Sequence, residues 1–273
     1  MSLYVGVDQS GKPVSGLTAG NFRVTEDGKP VAFRLEPLDE PAQIVIVAES
    51  SQGSYPYADD IDTIMKTFSD AAPDGNWYAL VTFARDAGVD QDFTRDREEI
   101  ASTWAAHGQP AWPDIDTYDA VYKVLDSLDR LPGRRAMIVI GSGYDTYSDH
   151  TAGEAEKKAQ EANVLVYSIG TGLNAPGPYS AYGSDFEHMH MFQGEAFLDR
   201  VAAESGGRAW FPESQDELEQ ALKSVFQDFN SRYRLVYDSA APDDGKLHKI
   251  KVRVDAPGRG KLKVHVRKGW RSE

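Results

Sequence analysis

Cysteine is missing from all 273 residues, which excludes disulfides, thiolate zinc sites, iron–sulfur clusters and a cysteine nucleophile. Basic charge is in short supply: 29 Lys and Arg stand against 43 Asp and Glu, a net charge of -14. Such a chain is a poor binder of phosphate backbones without a local basic patch, and none stands out, so nucleic acid is not the expected partner. Long apolar runs are absent as well. The longest, residues 44–48 and 136–140, are strand-sized and far below the roughly 20 residues of a membrane span. No signal peptide is visible. The opening MSLYVGVDQSGKPV already alternates like a strand, the pattern of a chain from which a targeting segment has been cut away.

What remains is a globular composition, 41% hydrophobic with 24 Gly and 14 Pro, enough for one large domain or a medium one plus a small one. The first forty residues read as β structure. Leu3, Val5 and Val7 share one face, residues 21–26 suit a second strand, Asp27-Gly28 signals a hairpin, and residues 31–35 follow as a third.

From about residue 42 the period changes. Short apolar strands (44–48, 78–83, 136–140, 164–169) alternate with helical spacings such as Ile61, Ile64, Met65 and Phe68, or Val121, Val124, Leu125 and Leu128. Residues 89–93 suit an edge strand, and Thr94 is placed to cap the helix that follows. Further helices fall at 151–163, around Phe197 and Val201, and from Leu218 to Phe229, with a short strand at 209–211. Apolar strands covered on both faces by helices imply an α/β fold with a doubly wound, mostly parallel sheet. Beyond residue 231 the helices stop, and three alternating strands (233–237, 250–254, 262–266) close the chain. Neither β end encloses much core alone. The expectation is one small β-sandwich built from residues 1–38 and 231–273, carrying a 42–230 α/β domain; the alternative is that each end packs separately on that domain.

The central region resembles the von Willebrand factor type A domain. The whole chain resembles the bacterial VWFA-related proteins of acidobacterial type, through GKPVSGLTAGNFRVTEDGKPV (11–31), DQDFTRDREEI (90–100), AAESGGRAWFP (202–212) and DGKLHKIKVRVDAPGRGKLKVHVRKGW (244–270). The resemblance implies a metal-ion-dependent adhesion site at the strand ends, built from Asp-x-Ser-x-Ser, a Thr from a second loop and an Asp from a third. Such hard oxygen ligands suit octahedral Mg²⁺, and strand ends at a topological switch are the expected binding place.

In this sequence that motif is damaged at each loop. After the first apolar strand the chain reads Ala48-Glu49-Ser50-Ser51-Gln52-Gly53-Ser54, so the Asp position falls on Ala48 or, shifted by one, on Glu49. Ile115 stands on the Thr, and Ser142 of Gly141-Ser142-Gly143 stands on the third-loop Asp. The expected site is degenerate, with no metal and no cofactor. Weak Mg²⁺ or Ca²⁺ binding would need rescue by Glu49, Ser51, Asp114, Asp116 and Asp145, or by a subset of them. Otherwise these acids are a solvated rim, with Asp116 or Thr117 capping the next helix.

Other chemistry finds little support. His188 and His190 are spaced to share a metal in a strand, but no zinc pattern surrounds them. The stretch 173–193 reads as a long surface loop carrying Tyr179, Tyr182, Phe186, Met189, Met191 and Phe192, either a contact patch or a cover for the domain's own flank. Ser142 lacks the Gly-x-Ser-x-Gly elbow of a hydrolase, although His150 follows closely. Gly170-Thr171-Gly172 is not a dinucleotide fingerprint, and Walker A is absent. The five Trp residues are scattered, and most are expected as core or interface filler.

The sequence therefore points to a non-enzymatic protein-binding module, extracytoplasmic (periplasmic or secreted) by resemblance. Its expected docking rim comprises Glu49, Ser50, Ser51, Asp114, Ile115, Asp116, Thr117, Ser142, Tyr144, Asp145 and Tyr147. Ile115 would add apolar area there, the tyrosines aromatic anchors, and the aspartates an acidic edge for a basic partner. The alternatives are a structural or assembly component of an extracytoplasmic complex and, third, a hydrolytic enzyme.

Overall fold

The computed structural model describes residues 1–108, 112–172 and 185–271, with Pro56 and residues 185–191 described for the backbone alone. The chain opens with β1 (Ser2–Gln9), β2 (Lys12–Pro13), β3 (Phe22–Glu26), β4 (Lys29–Pro30) and β5 (Arg34–Glu36). The α/β run follows: β6 (Ala42–Glu49), α1 (Ala58–Lys66), α2 (Phe68–Ala71), β7 (Trp77–Phe83), β8 (Ala87–Thr94), α3 (Arg97–Ala106) and α4 (Thr117–Asp129). It continues through β9 (Arg134–Gly141), α5 (Ala152–Glu161), β10 (Leu165–Gly170), α6 (Asp185–Ser205), β11 (Arg208–Trp210) and α7 (Gln215–Asn230). The chain closes with β12 (Tyr233–Val236), β13 (Leu247–Val254), β14 (Lys263–His265) and β15 (Gly269–Arg271).

The central sheet has the order β11-β10-β9-β6-β7-β8. All its pairings are parallel except that of the edge strand β8 with β7. β6 explains why the fold is layered. Its even-numbered Ala42, Ile44, Ile46 and Ala48 pack with α1, α2 and α7, while Val45 and Val47 pack with α4, α5 and α6. Period-two alternation on a strand buried on both faces produces two cores from one segment. β6 lies between β9 and β7, so the order of winding reverses at its edge with β9, and the carboxyl ends of these two strands form the switch point.

The chain ends meet in antiparallel sheets. β1 pairs with β12 (Leu3↔Leu235) and with β14 (Val7↔Val264), and β3 pairs with β13 (Val24↔Val252). Leu3, Val5, Val7, Phe22, Val24, Leu235, Ile250 and Val252 share one core cluster. Asp27 and Gly28 both take positive φ (48° and 79°), the left-handed pair that closes the β3–β4 hairpin.

Several local expectations are corrected. Of the strand expected at 31–35 only residues 34 and 35 are strand, within β5; β4 pairs with β3 in one sheet and β5 with β12 in the other, and residues 31–33 cross between them. Val31 and Phe33 face the shared core where the chain crosses over. The cap of α3 is Asp96, whose side chain takes the Glu98 N–H, while Thr94 Oγ1 accepts from Asp96 N. Helix α6 begins at Asp185, so 185–193 is not loop. Residues 173–184 and the side chains of His188 and His190 lie outside the described residues. β15 was not anticipated.

Candidate functional site

Three loops leave the carboxyl ends of the sheet at the switch point: 50–54 after β6, 112–116 before α4, and 142–150 after β9. Backbone bonds tie them in series. Gln52 N donates to Trp112 O (2.8 Å), Asp116 N to Ala84 O (2.8 Å) and Thr146 N to Ile115 O (2.8 Å). Asp116 and Asp145 form an antiparallel bridge.

Glu49 ends β6 and is almost fully buried, at 1% exposure. Its Oε2 accepts from both the backbone N–H and the hydroxyl of Ser142 (2.8 Å each), and Oε1 accepts from the Tyr57 hydroxyl (2.8 Å). Burial raises its carboxyl above the usual range, against the lowering effect of those three donors. Ser51 and Ser54 bond one another: Ser51 N to Ser54 Oγ (3.1 Å), Ser54 N to Ser51 Oγ (2.9 Å) and Ser54 Oγ to Ser51 O (2.8 Å).

Ile115 is not on the surface. It is 3% exposed and packs in the core under the first loop, where a Cβ on Gly53 would meet its Cδ1 at 2.9 Å. It therefore plugs the space beneath the loop and adds no apolar docking area.

The start of α4 is capped from another loop. Asp116 occupies the N-cap position but makes no capping bond. Instead Asp145 Oδ1 accepts from Tyr118 N (3.0 Å) and Ser148 Oγ from Asp119 N (3.0 Å), while Ser148 Oγ also donates to Asp145 Oδ1 (2.6 Å). Thr117 Oγ1 donates to Tyr144 O (2.5 Å). Those backbone donors are orphans of a helix start and need partners.

Electrostatics at this junction are uneven. Desolvation, reinforced by Asp145, Asp114, Asp119 and Asp86, pushes Asp116 up to about 6, and its buried Oδ1 has no hydrogen-bond partner among the described residues. Burial also raises Asp145, against its bonds to Ser148 and Tyr118. Asp119 goes the other way. Burial opposes ionisation, but the Lys123 ammonium (2.8 Å) and His150 (Nδ1 at 2.7 Å) hold it down to about 2. His150 stacks on Tyr122 at 3.8 Å between ring centroids.

Of the eleven residues expected at the rim, Glu49, Ser51, Ile115, Asp116 and Thr117 are buried, Ser50, Asp114, Ser142, Tyr144 and Asp145 are half-buried, and Tyr147 is exposed at 72%. The buried ones knit the loops. Sequence reasoning missed Tyr55 and Trp112, which stand 69% and 52% exposed on the first two loops. It also missed Tyr57, Asp119 and Ser148 as the partners that lock the site. The positive φ of Gly143 (71°) and its Cβ position 2.4 Å from Gly194 O mark where α6 presses on the third loop. Ser142 and His150 bond to Glu49 and Asp119 respectively, not to each other.

No protein-family model matches the chain, and no curated protein matches it. Solved structures do. An aerotolerance-related membrane protein from Bacteroides fragilis aligns with TM-score 0.53 and 19% identity over 69% of this chain and 98% of that one. The PilB minor pilin of Streptococcus sanguinis aligns at 0.51 and 12% identity over 72% of this chain and 63% of its own. Proximal thread matrix protein 1 from the mussel byssus aligns at 0.50 and 12% identity over 72% of this chain and 48% of its own. At such identities the likeness is one of fold alone. The α/β part of this chain has a von Willebrand factor type A-like fold.

Proposed function

We propose that the protein is a non-enzymatic protein-binding module whose contact face is the strand-end rim of loops 50–55, 112–116 and 142–148. The observation that carries this reading is the placement of exposed aromatics. Tyr55, Trp112 and Tyr147, three of the six exposed large hydrophobics among the described residues, stand one on each loop. Aromatic anchors on a rigid frame suit an interface hot spot, since little conformational entropy is lost on contact. The hydrogen-bonded network beneath them supplies that frame.

We propose also that the metal-dependent adhesion chemistry of this fold is lost here. The donors do not fit a compact oxygen shell. Ile115 offers no side-chain oxygen, both Glu49 oxygens already accept protein hydrogen bonds, and Ser51 and Ser54 are committed to one another. Among the described residues no group of three or more His, Asp or Glu is placed to hold a metal. Of the rescue set Glu49, Ser51, Asp116 and Asp145, only Asp116 has a buried oxygen without a partner among the described residues. A hydrolase reading is disfavoured by the separation of Ser142 from His150 in their bonding.

In the same proposal, residues 1–38 and 231–273 form one sandwich-like unit that carries the 42–230 domain. The setting is extracytoplasmic, a reading supported by neighbours described as a pilin, a byssus matrix protein and an aerotolerance-related membrane protein. Among the described residues no helix is long and apolar enough to cross a membrane. A structural role in an envelope assembly is the second reading, and it uses the same face.

Photo-crosslinking tests the face. A photoreactive residue at Tyr147 or Trp112, introduced in the producing cells, should give a discrete adduct with a partner protein. The same group at the exposed Lys251 of β13 should not. Adducts from Lys251 alone would move the interface to the antiparallel sheets.

A further inference from the structure

Beside the rim, a cleft of about 600 Å³ opens between α1–α2 and α3. That volume is in the range of roughly 300–1,000 Å³ typical of ligand pockets. Its accessible apolar lining includes Ala58, Ala101 and Ala105, over the buried Ile61 and Met65. Its charged groups are mainly acidic: Asp62, Asp70 and Glu98, with the buried Glu49 at the rim end, against Lys66. The half-buried Trp104 lies in the wall. Its ring stacks on His107 at an interplanar angle of 4°, and its indole N–H donates to Asp62 Oδ1 at 2.9 Å. That bond holds Asp62 in place, while its Oδ2 takes no hydrogen bond among the described residues. Ser69 also lines the cleft, and its buried hydroxyl has no partner among the described residues.

We propose that this cleft binds a lysine- or arginine-bearing segment of a partner polypeptide, with the aliphatic stem along Ala58, Ala101 and Ala105 and the cationic head on Asp62. The inference deepens the binding-module reading, on which its partner rests. Long basic side chains match such a surface because their methylene stems cover apolar groups while the charged end reaches a carboxylate. Asp62 is already oriented by Trp104, so a guanidinium would gain a charge-assisted bond without ordering a free carboxylate. The excess of carboxylates over Lys66 in the lining makes an acidic or purely apolar segment a worse match, and the overall charge of -14 steers basic partners toward the chain.

The test titrates the full chain with N-acetyl-arginine methylamide, N-acetyl-norleucine methylamide and N-acetyl-glutamate methylamide, following the Trp104 indole N–H by NMR. The arginine probe should shift that resonance saturably and bind about tenfold or more tightly than norleucine. Asp62→Asn keeps a carbonyl oxygen for the indole and removes the charge. It should weaken the arginine probe about tenfold and leave norleucine unchanged. Ala101→Trp, or Ala105→Trp if the first fails to fold, should block the cleft to all probes. Equal response to arginine and norleucine, arginine binding intact in Asp62→Asn and in the filled variant, or shifts confined to Asp114 and Asp145 would each overturn the proposal. Lys251→Ala, on the exposed face of β13, should leave the probe's affinity unchanged. Loss of the Tyr147 crosslink with arginine binding retained would fault the rim and not the cleft.

Discussion

Glu49 and Ser142, 93 positions apart in sequence, meet at the switch point of the sheet, where one carboxyl oxygen receives both the N–H and the hydroxyl of the serine at 2.8 Å. The pair joins the ends of β6 and β9 at the place where this fold commonly holds a ligand. With Tyr57 on the other oxygen, the acid becomes an internal strut. Its removal would strand two side-chain hydroxyls and a backbone donor. Glu49→Ala is expected to cost about 2–4 kcal/mol in urea denaturation, while Glu49→Gln, which keeps the shape and one carbonyl acceptor, should cost clearly less. Equal losses for the two variants would show that side-chain bulk, not hydrogen bonding, is what Glu49 supplies.

Helix α6 braces the same loop through a backbone contact. A Cβ on Gly194 would lie 2.4 Å from Ser142 O and 2.9 Å from Gly143 C. These are backbone atoms and cannot rotate away. Gly194→Ala should therefore destabilise the fold by about 2 kcal/mol or more. It should also disturb the amide resonances of 142–148 more than those of β13. A neutral result by thermal melting would mean that α6 sits farther from the third loop.

Asp116 makes stability depend on pH in an identifiable direction. Its carboxyl is raised to about 6 in the folded chain from an ordinary value of 3.8. The folded state then binds more protons than the unfolded state between those values, so this group favours folding as pH falls and penalises it as pH rises through about 6. Asp116→Asn removes the penalty. The variant should be more stable than the parent by about 1–2 kcal/mol at pH 7.5, with the gap closing toward pH 4. A constant gap across this range would trace the effect to something other than titration.

Divalent ions give a separate check on the proposed loss of the adhesion site. After chelation, millimolar Mg²⁺ or Ca²⁺ should leave the melting temperature where a matched ionic-strength control leaves it, because only an ion that binds the native state raises it. A rise above that control would place an ion at Asp116 and its neighbours. Asp116→Asn should then abolish it.

Residues whose role follows from spacing were legible in the sequence. The apolar strands, the helix stripes such as Ile61, Ile64 and Met65, and the Asp27-Gly28 turn depend on local stereochemistry and on period. So was the departure of Ile115 and Ser142 from the metal-binding pattern. The cap of α3 was misplaced by two residues because Thr94 and Asp96 are both competent caps, and only the path of the backbone chooses between them. The split between β4 and β5 was hidden because Val31, Phe33 and Leu35 alternate like one strand.

The candidate site lay mostly beyond such reasoning. Side-chain chemistry named Asp116, Asp145 and Tyr147 together, but nothing in the order of residues says that Asp145 caps α4 while Asp116, at the cap position, does not. The chain's composition and period set the layers: alternation on β6 must bury both faces, and a chain rich in acids and free of cysteine has no thiolate or disulfide chemistry. Which of the acids would be buried struts and which would face solvent depended on contacts between residues 27 to 93 positions apart, such as Asp145 with Tyr118, His150 with Asp119 and Ser142 with Glu49. Burial and hydrogen bonding are properties of the assembled neighbours, so the same carboxyl group is a surface charge or an internal strut according to what the fold brings against it.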